Sequence, residues 1–235
     1  MKSLIKAIVR QLARRTGVIQ DTFYRPITFD YILSKLPTDP VILEAGAHDG
    51  TNTADLASIP GSRVHAFEPV PDAFRRLEER TRAFPNVFRH PVALGRFDGE
   101  VEMFVSSGKN DASSSLLEPK DIRIVNPDIE FREKIAVKVA TMDSWAETNG
   151  VGKIDFLWLD MQGYELAAMQ SAPRIMETVS VIYTEVNLLE VYEGVPLYND
   201  VWKWLTSEGF HVDRIDFVWP DQGEVLFVRS RRETP

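Results

Sequence analysis

The sequence predicts an α/β protein built on a doubly wound, mostly parallel β-sheet. From Val41 onward, short apolar segments alternate with segments of helical periodicity, which is the pattern of repeated strand–helix units. A glycine turn at residues 46–50 follows the first of these strands. The last two predicted strands, 210–217 and 224–228, are joined by a turn too short for a parallel crossover, so we expect this pair to be antiparallel.

The bulk composition is that of an ordinary globular protein. A chain of 235 residues, 44% of them hydrophobic, is long enough to bury a sizeable core. The net charge of −8 argues against a protein that wraps nucleic acid. The absence of cysteine excludes disulfides and thiolate metal sites. No apolar run reaches the roughly 20 residues that cross a bilayer, and the N-terminus lacks a signal-peptide core, so we expect a cytoplasmic protein.

We expect an N-terminal helical arm over residues 1–37 and one domain over residues 38–235. Residues 1–15 predict an amphipathic helix, and residues 28–36 a second short one. The first helix could lie on an anionic membrane or a partner protein. Alternatively, it packs on its own domain or on a second subunit of a homo-oligomer, which is the commoner use of such helices. Its apolar and basic residues are Leu4, Ile5, Ile8, Leu12, Lys2, Lys6, Arg10, Arg14 and Arg15.

The elements of the domain follow from the same periodicities. Strands are predicted over residues 41–45, 63–67, 87–93, 101–105, 135–139, 154–159 and 179–186. Helices are predicted over residues 51–58, 71–83, 163–170 and 196–208, with a further helix capped by Thr141 or Asp143. Residues 106–134 interrupt the rhythm with Ser, Asn, Asp, Gly and Pro. This segment predicts an irregular insertion, either a substrate lid or a plain surface loop.

The glycine turn is suited to a ligand with a nucleoside part. Gly46 and Gly50 allow tight turns and close approach of the backbone to a ligand. Glu68, at the end of the second strand, offers a carboxylate that can accept hydrogen bonds from both hydroxyls of a ribose. These features alone fit NAD and S-adenosylmethionine equally.

The charge of the turn separates these two ligands. Its spacing is Glu-x-Gly-x-x-x-Gly, which differs from the Gly-x-Gly-x-x-Gly of dinucleotide sites. Glu44 and Asp49 make it acidic, and no Lys or Arg occurs between residues 41 and 62. Two carboxylates disfavour a pyrophosphate but suit a sulfonium cation with an α-amino group. The turn therefore favours S-adenosylmethionine.

Six segments together resemble the FkbM-type methyltransferases. They are Glu-Ala-Gly-Ala-His-Asp-Gly (44–50), Phe-Glu-Pro (67–69), Val-Ala-Leu-Gly (92–95), Ala-Thr-Met-Asp-Ser-Trp (140–145), Leu-Asp-Met-Gln-Gly-Tyr-Glu (159–165) and Tyr-Thr-Glu-Val (183–186). The resemblance spans about residues 41–227. It implies the class I, Rossmann-like methyltransferase fold, dependence on S-adenosylmethionine, and O-methylation of sugars, glycans or natural products. This sequence departs from many relatives by having Glu44 for Asp and His48 for Asn.

The resemblance also implies a set of cofactor-binding residues. Glu68 would hold the ribose, Ala93 would lie where this fold contacts adenine, and Asp160 would face the transferring methyl group. The full set is Glu44, Gly46, Ala47, Gly50, Asn52, Glu68, Pro69, Ala93 and Asp160.

Candidate catalytic residues follow from the chemistry of methyl transfer to oxygen. The acceptor hydroxyl must be aligned with the methyl group and must lose its proton. Asp160 and Glu185 end consecutive predicted strands, so we expect both acids at one rim of the sheet. His48 in the glycine turn could orient the methionine end or meet the acceptor. Glu165 is a further local acid, which could equally serve to neutralise the start of the following helix.

Asp160, Glu185 and Asn187 also form an oxygen-rich set of the kind that binds Mg²⁺. The arrangement is similar to that of catechol-type O-methyltransferases, where a metal would lower the pKa of the substrate hydroxyl. Without a metal, Asp160 or Glu185 would be the general base. The metal-free alternative is favoured, because Asn187 is displaced from the spacing of that other group.

For the acceptor, polar and aromatic side chains are the candidates. Ser114 and Ser115 could donate hydrogen bonds to a sugar, and Tyr164 and Tyr198 could stack on it, although such aromatics are often packing residues. The sequence thus predicts an S-adenosylmethionine-dependent O-methyltransferase that acts on a sugar, glycan or secondary metabolite. The alternatives are an NAD-dependent oxidoreductase and a non-catalytic binding module with a methyltransferase fold.

Overall fold

The computed structural model describes residues 25–108, 111–217 and 221–230. The predicted helix at residues 1–15 lies outside the described residues, as does most of the predicted arm. In the described ranges, no helix combines the length and apolar character that a membrane crossing requires.

Ten strands and eight helices make up the described part of the chain. The strands are β1 (Val41–Ala45), β2 (Arg63–Phe67), β3 (Val87–His90), β4 (Ala93–Leu94), β5 (Gly99–Gly108), β6 (Ile129–Ala140), β7 (Phe156–Leu159), β8 (Val181–Asn187), β9 (Phe210–Asp216) and β10 (Gln222–Arg229). The helices are α1 (Phe29–Leu33), α2 (Thr51–Ala57), α3 (Pro71–Thr81), α4 (Ile122–Val125), α5 (Met142–Thr148), α6 (Glu165–Gln170), α7 (Pro173–Met176) and α8 (Tyr198–Ser207).

Seven strands form the central sheet, in the order β3-β2-β1-β7-β8-β10-β9. The pairs from β3 to β8 are parallel, whereas β10 is antiparallel to both β8 and β9. This confirms the predicted doubly wound sheet with an antiparallel C-terminal pair. The strand order changes direction between β1 and β7, which is where open α/β sheets form a ligand crevice at their carboxyl ends.

Both faces of the central sheet are apolar because helices cover both sides. Successive residues of β1 point to opposite faces, so Leu43 packs in one core cluster and Ile42 in another. In β7, Leu157 packs in the same cluster as Leu43, and Phe156 packs in the same cluster as Ile42. This two-sided burial leaves the carboxyl ends of the strands as the polar edge.

A second sheet extends into both ends of the predicted irregular insertion. β5 and β6 pair antiparallel, with Gly99 opposite Val139 and Gly108 opposite Ile129, and β4 pairs parallel with β6. The prediction of a loop was therefore wrong at residues 106–108 and 129–134. Charged, solvent-exposed residues at 132–134 conceal the alternation in β6, since only one of its faces is buried.

Two local boundaries also differ from the prediction. The single strand predicted over residues 87–93 is divided into β3 and β4, which belong to different sheets. Pro91 lies between them and has no N–H to donate to a strand ladder. Of the two predicted caps for α5, Thr141 is the one observed, since its Oγ1 accepts the N–H of Ser144 at 3.1 Å.

Candidate active site

The carboxyl ends of β1, β2 and β7 border a cleft of about 670 Å³ that opens to solvent. The glycine turn and Glu68 form one part of its wall, and Asp160 forms another. The second sheet and the segment after β5 contribute Met103, Asp111 and Leu116. The three strand ends that the sequence identified are therefore brought together around one cavity.

Gly46 sets the distance between the turn and the end of β7. Its φ is +84°, and its N–H donates to the carbonyl oxygen of Phe67 at 3.1 Å. A Cβ atom at this position would lie 1.8 Å from the carbonyl oxygen of Asp160. Only glycine permits both the backbone conformation and this contact.

Glu68 is held in the cleft wall by backbone hydrogen bonds. Its Oε2 accepts the N–H of His48 and its Oε1 that of Val70, both at 2.8 Å. Burial raises the pKa of Glu68 to about 7. Each carboxylate oxygen has a second lone pair, so both can still accept a hydrogen bond from a ligand hydroxyl. These features fit the predicted ribose contact.

Glu44 lies beneath the turn rather than in the cleft wall. It is only 1% exposed, and its Oε2 accepts the hydroxyl of Thr53 at 2.6 Å. Its Oε1 has no hydrogen-bond partner among the described residues. Burial raises the pKa of Glu44 to about 8, and the nearby charges of Asp160 and Glu68 add to this shift.

Three other residues of the predicted cofactor set also lie away from the cleft wall. Ala47 packs in the apolar cluster behind the turn. Gly50, at φ +81°, packs its backbone on Leu77 of α3. Asn52 is exposed on α2. Pro69 and Ala93, by contrast, do line the cleft.

His48 lines the cleft and connects three segments. Its backbone lies in the left-handed region, with φ +48°. Its Nε2 lies 3.0 Å from Oδ1 of Asp111 and 3.0 Å from Nη2 of Arg76. Arg76 also donates to Oδ2 of Asp111 at 2.7 Å. The side chain of His48 is thus engaged by the α3 helix and the segment after β5, and its catalytic role stays a prediction.

Asp160 and Glu185 lie close together, as expected for neighbouring parallel strands. The register pairs Leu159 of β7 with Thr184 of β8. Nε2 of Gln162 donates to Oδ1 of Asp160 at 2.8 Å and to Oε1 of Glu185 at 3.2 Å. Asp160 lines the cleft, whereas Glu185 is 4% exposed and lies behind it.

The environment of these two acids disfavours their charged forms. Burial raises the pKa of Asp160, although the hydrogen bond from Gln162 opposes the shift. Burial also raises the pKa of Glu185, and the negative charge of Asp160 adds to the effect. An aspartate with a raised pKa is a stronger base than a solvated one, which suits proton removal near neutral pH.

The predicted Mg²⁺ site does not fit these residues. The amide nitrogen of Gln162 lies between Asp160 and Glu185, and this N–H₂ group is a donor that cannot ligate a cation. Asn187 is 2% exposed, and its Oδ1 is unpartnered in the described ranges. Within those ranges, no group of three His, Asp or Glu side chains could hold a metal ion. This geometry favours the metal-free alternative, and metal dependence stays a prediction.

The predicted acceptor residues are divided between the cleft and the core. Ser114 and Tyr164 line the cleft. Ser115 is fully buried, and its hydroxyl donates to the backbone oxygen of Gln162 at 2.8 Å. Tyr198 is 3% exposed and packs edge-on to Phe217 in the core. The structure thus places neither Ser115 nor Tyr198 where an acceptor in the cleft would meet them.

Several cleft residues were missed in the sequence, among them Met103, Leu116 and Gln162. Met103 reaches the cleft from β5, within the predicted strand at 101–105, and Leu116 reaches it from the predicted irregular insertion. They lie with Ala93 and Tyr164 on an apolar wall suited to a flat heterocycle. Gln162 is inside the Leu-Asp-Met-Gln-Gly motif, and its place between two predicted acids was the one available signal.

The sheet order, the antiparallel last pair and the cleft at the strand ends define a class I methyltransferase fold. Within that class, the chain belongs to the FkbM methyltransferase family, because residues 44–212 match the methyltransferase FkbM domain. The resemblance seen in the sequence motifs is thereby confirmed.

Two relatives and one solved structure illustrate what this chain is similar to. The 2-O-methyltransferase NoeI of Sinorhizobium fredii is 30% identical over 162 residues, which cover 66% of this chain and 67% of NoeI. The hexuronic acid methyltransferase AglP of Haloferax volcanii is 24% identical over 157 residues, which cover 66% of this chain and 59% of AglP. Methyltransferase FkbM of Methylobacillus flagellatus superposes with a TM-score of 0.55 at 15% identity, over 87% of this chain and 48% of that one, and shows the shared fold.

Proposed function

We propose that this chain transfers a methyl group from S-adenosylmethionine to a hydroxyl of a sugar, in a glycan or a small molecule. The observation that carries the proposal is the shared cleft of Glu68 and Asp160, with Gly46 in contact with the backbone of Asp160. The names of NoeI and AglP, a 2-O-methyltransferase and a hexuronic acid methyltransferase, support a sugar acceptor. In its wider form, the proposal includes secondary metabolites with a comparable hydroxyl as acceptors.

The residues of the cleft fit each part of the donor. Glu68 would accept hydrogen bonds from the ribose, and the apolar wall at Ala93, Met103 and Tyr164 would take the adenine. A cationic methionine end would favour the charged form of Asp160 in the cleft wall and, from above the turn, that of Glu44, whose pKa values are both raised in the ligand-free protein. When bound, the cofactor supplies a methyl group on a cationic sulfur.

Asp160 would act on the acceptor. Its carboxylate takes the proton of the acceptor hydroxyl as the oxygen attacks the methyl carbon in line with sulfur. The new carbon–oxygen bond forms as the carbon–sulfur bond breaks, and sulfur keeps that electron pair. Ser114 at the rim would orient the acceptor. Because Glu185 lies behind Asp160 and outside the cleft wall, we assign the proton transfer to Asp160 alone.

Two experiments test the proposed function. Calorimetry should detect binding of S-adenosylmethionine and none of NAD; binding of NAD alone would refute the methyltransferase proposal. Turnover is measured as release of S-adenosylhomocysteine with a panel of neutral and acidic glycosides. Asp160→Asn should reduce turnover at least about 100-fold and leave donor affinity within about threefold, whereas Asp72→Asn at an exposed site of α3 should behave as wild type. Full turnover in Asp160→Asn would remove this residue from the mechanism.

Membership of a methyltransferase family leaves the NAD-dependent alternative without support. The remaining expectations stay predictions from the sequence. They are the arm boundary at residue 37, the contact of the N-terminal helix with a membrane or a second subunit, the lack of a nucleic acid partner and the cytoplasmic location.

A further inference from the structure

Gln162 adopts a backbone conformation that non-glycine residues rarely take. Its φ is +54°, and it is 7% exposed at the edge of the cleft. Such a conformation costs free energy and persists only where the surroundings hold it. Strain of this kind at the wall of a reaction cleft suggests that the position of the side chain matters.

Two contacts from distant segments hold Gln162 in place. Ser115 donates to its backbone oxygen at 2.8 Å. The hydroxyl of Tyr192 lies 3.1 Å from its Oε1, and Tyr192 is 1% exposed. The single hydrogen of this hydroxyl is shared with the backbone oxygen of Ser113 at 2.9 Å. The orientation of the amide is therefore set mainly by the two carboxyl groups, which accept hydrogen bonds from its nitrogen. The nitrogen of Gln162 then faces the two carboxyl groups.

The amide nitrogen has two hydrogens, and two carboxyl groups lie within reach. Nε2 of Gln162 is 2.8 Å from Oδ1 of Asp160, 3.2 Å from Oε1 of Glu185 and 3.4 Å from its Oε2. One donor group thus bridges two acids that would otherwise repel each other. In the described part of the chain, Oδ2 of Asp160 has no hydrogen-bond donor, while Asp160 borders the cleft.

We propose that Gln162 is a positioning residue for methyl transfer, which fixes Oδ1 of Asp160 so that Oδ2 receives the acceptor proton. The inference rests on the proposed function and deepens it. Glu185 acts in the same arrangement through Gln162, because it takes the second amide hydrogen and prevents rotation of the amide. Glu185 then needs no contact with the acceptor.

Gln222 provides a matched control for this bridge. Its Nε2 donates to Oε2 of Glu185 at 2.7 Å, but it neither contacts Asp160 nor lines the cleft. Gln162→Met and Gln222→Met each replace an amide side chain with an apolar one of similar volume. We expect Gln162→Met to lower kcat by about 10- to 100-fold and to leave donor affinity within about threefold. Gln222→Met should change kcat by less than about threefold. Equal effects of the two variants would overturn the proposal.

The pH profile of Gln162→Glu distinguishes positioning from packing. The new side chain has nearly the same shape, so a packing role predicts wild-type activity at low pH, where the side chain is neutral. A positioning role predicts a loss at high pH, where a third carboxylate repels its neighbours. At low pH a positioning role predicts only partial activity, because the protonated side chain can donate one hydrogen bond where the amide donates two. Wild-type activity at low pH, or an unchanged profile, contradicts the inference.

A measurement without an acceptor keeps the inference testable. Carboxyl ¹³C NMR of protein labelled in Asp follows the titration of Asp160 directly. Loss of the donor in Gln162→Met should move this titration to higher pH, because the hydrogen bond favours the charged form. Gln222→Met should leave it unchanged. An unchanged titration in Gln162→Met refutes the inference. A wild-type protein that binds no S-adenosylmethionine and methylates no acceptor refutes the proposed function instead.

Discussion

The backbone oxygen of Asp160 lies against Gly46. A Cβ atom on residue 46 would be only 1.8 Å from this oxygen. The glycine turn and the end of β7 are therefore in direct backbone contact. Their relative position does not depend on a flexible side chain. This contact joins Gly46, the first residue of the glycine turn, to Asp160, which we assign as the base.

Gly46→Ala should damage stability and activity together. The left-handed backbone and the contact with Asp160 both oppose a side chain, and we expect a loss of about 2–4 kcal/mol in the free energy of unfolding. Denaturant unfolding measures this loss. Gly152→Ala is the control, since a Cβ there meets no atom within 4 Å, and it should be nearly neutral. A stable, fully active Gly46→Ala would contradict the arrangement.

Glu68→Gln should weaken donor binding. Both carboxylate oxygens of Glu68 accept backbone N–H groups, so an amide would place its N–H₂ against one of these donors. We expect at least a tenfold increase in Kd, or about 1.4 kcal/mol, by calorimetry with S-adenosylmethionine. Glu79→Gln, exposed on α3, should leave Kd unchanged. Wild-type affinity in Glu68→Gln would exclude the ribose contact.

The ligand-free protein should lose stability as the pH rises from about 6.5 to 8. The pKa values of Glu44 and Glu224 are raised to about 8, mainly by burial, so the folded state holds protons in this range that the unfolded state has released. The stability that such a group contributes is fully present below its pKa in the unfolded state. It is lost as the pH rises through its pKa in the folded state. Burial lowers the pKa of His65 and His90 to about 4. These two groups make stability rise with pH, but only below about pH 6.5, the pKa of an unperturbed histidine.

Thermal unfolding across this range provides the test. Glu44→Gln should flatten the slope of Tm against pH, because its amide does not titrate. The exposed Glu79→Gln should keep the wild-type slope. A wild-type Tm that rises between pH 6.5 and 8 would contradict the assignment.

Turnover should be insensitive to metal removal. The amide of Gln162 takes the space between Asp160 and Glu185 that a cation would need. We expect the same kcat in EDTA and in Mg²⁺, measured with the same acceptor. Loss of activity in EDTA, restored by Mg²⁺, would show that the amide moves aside for a metal.

Much of the architecture follows from the sequence by itself. Local periodicity identified the strands of the central sheet, because two-sided burial makes them short apolar runs. The turn after β1 and the adjacency of Asp160 and Glu185 followed from the rule that parallel strands end at one edge. The acidic composition of the turn selected its ligand class. These are properties of residues near one another in the chain, or of a simple strand order.

Only the tertiary structure decided which of these residues face the cleft. Alternation in β1 directs Glu44 to a buried face, and packing against α3 fixes the role of Gly50. The second sheet exists because β5 and β6 pair across a long separation, and it brings Met103 to the cleft. The place of Gln162 between two acids depends on contacts with Ser115 and Tyr192. Such contacts join distant parts of the chain, and local pattern does not encode them, since they depend on how whole elements pack.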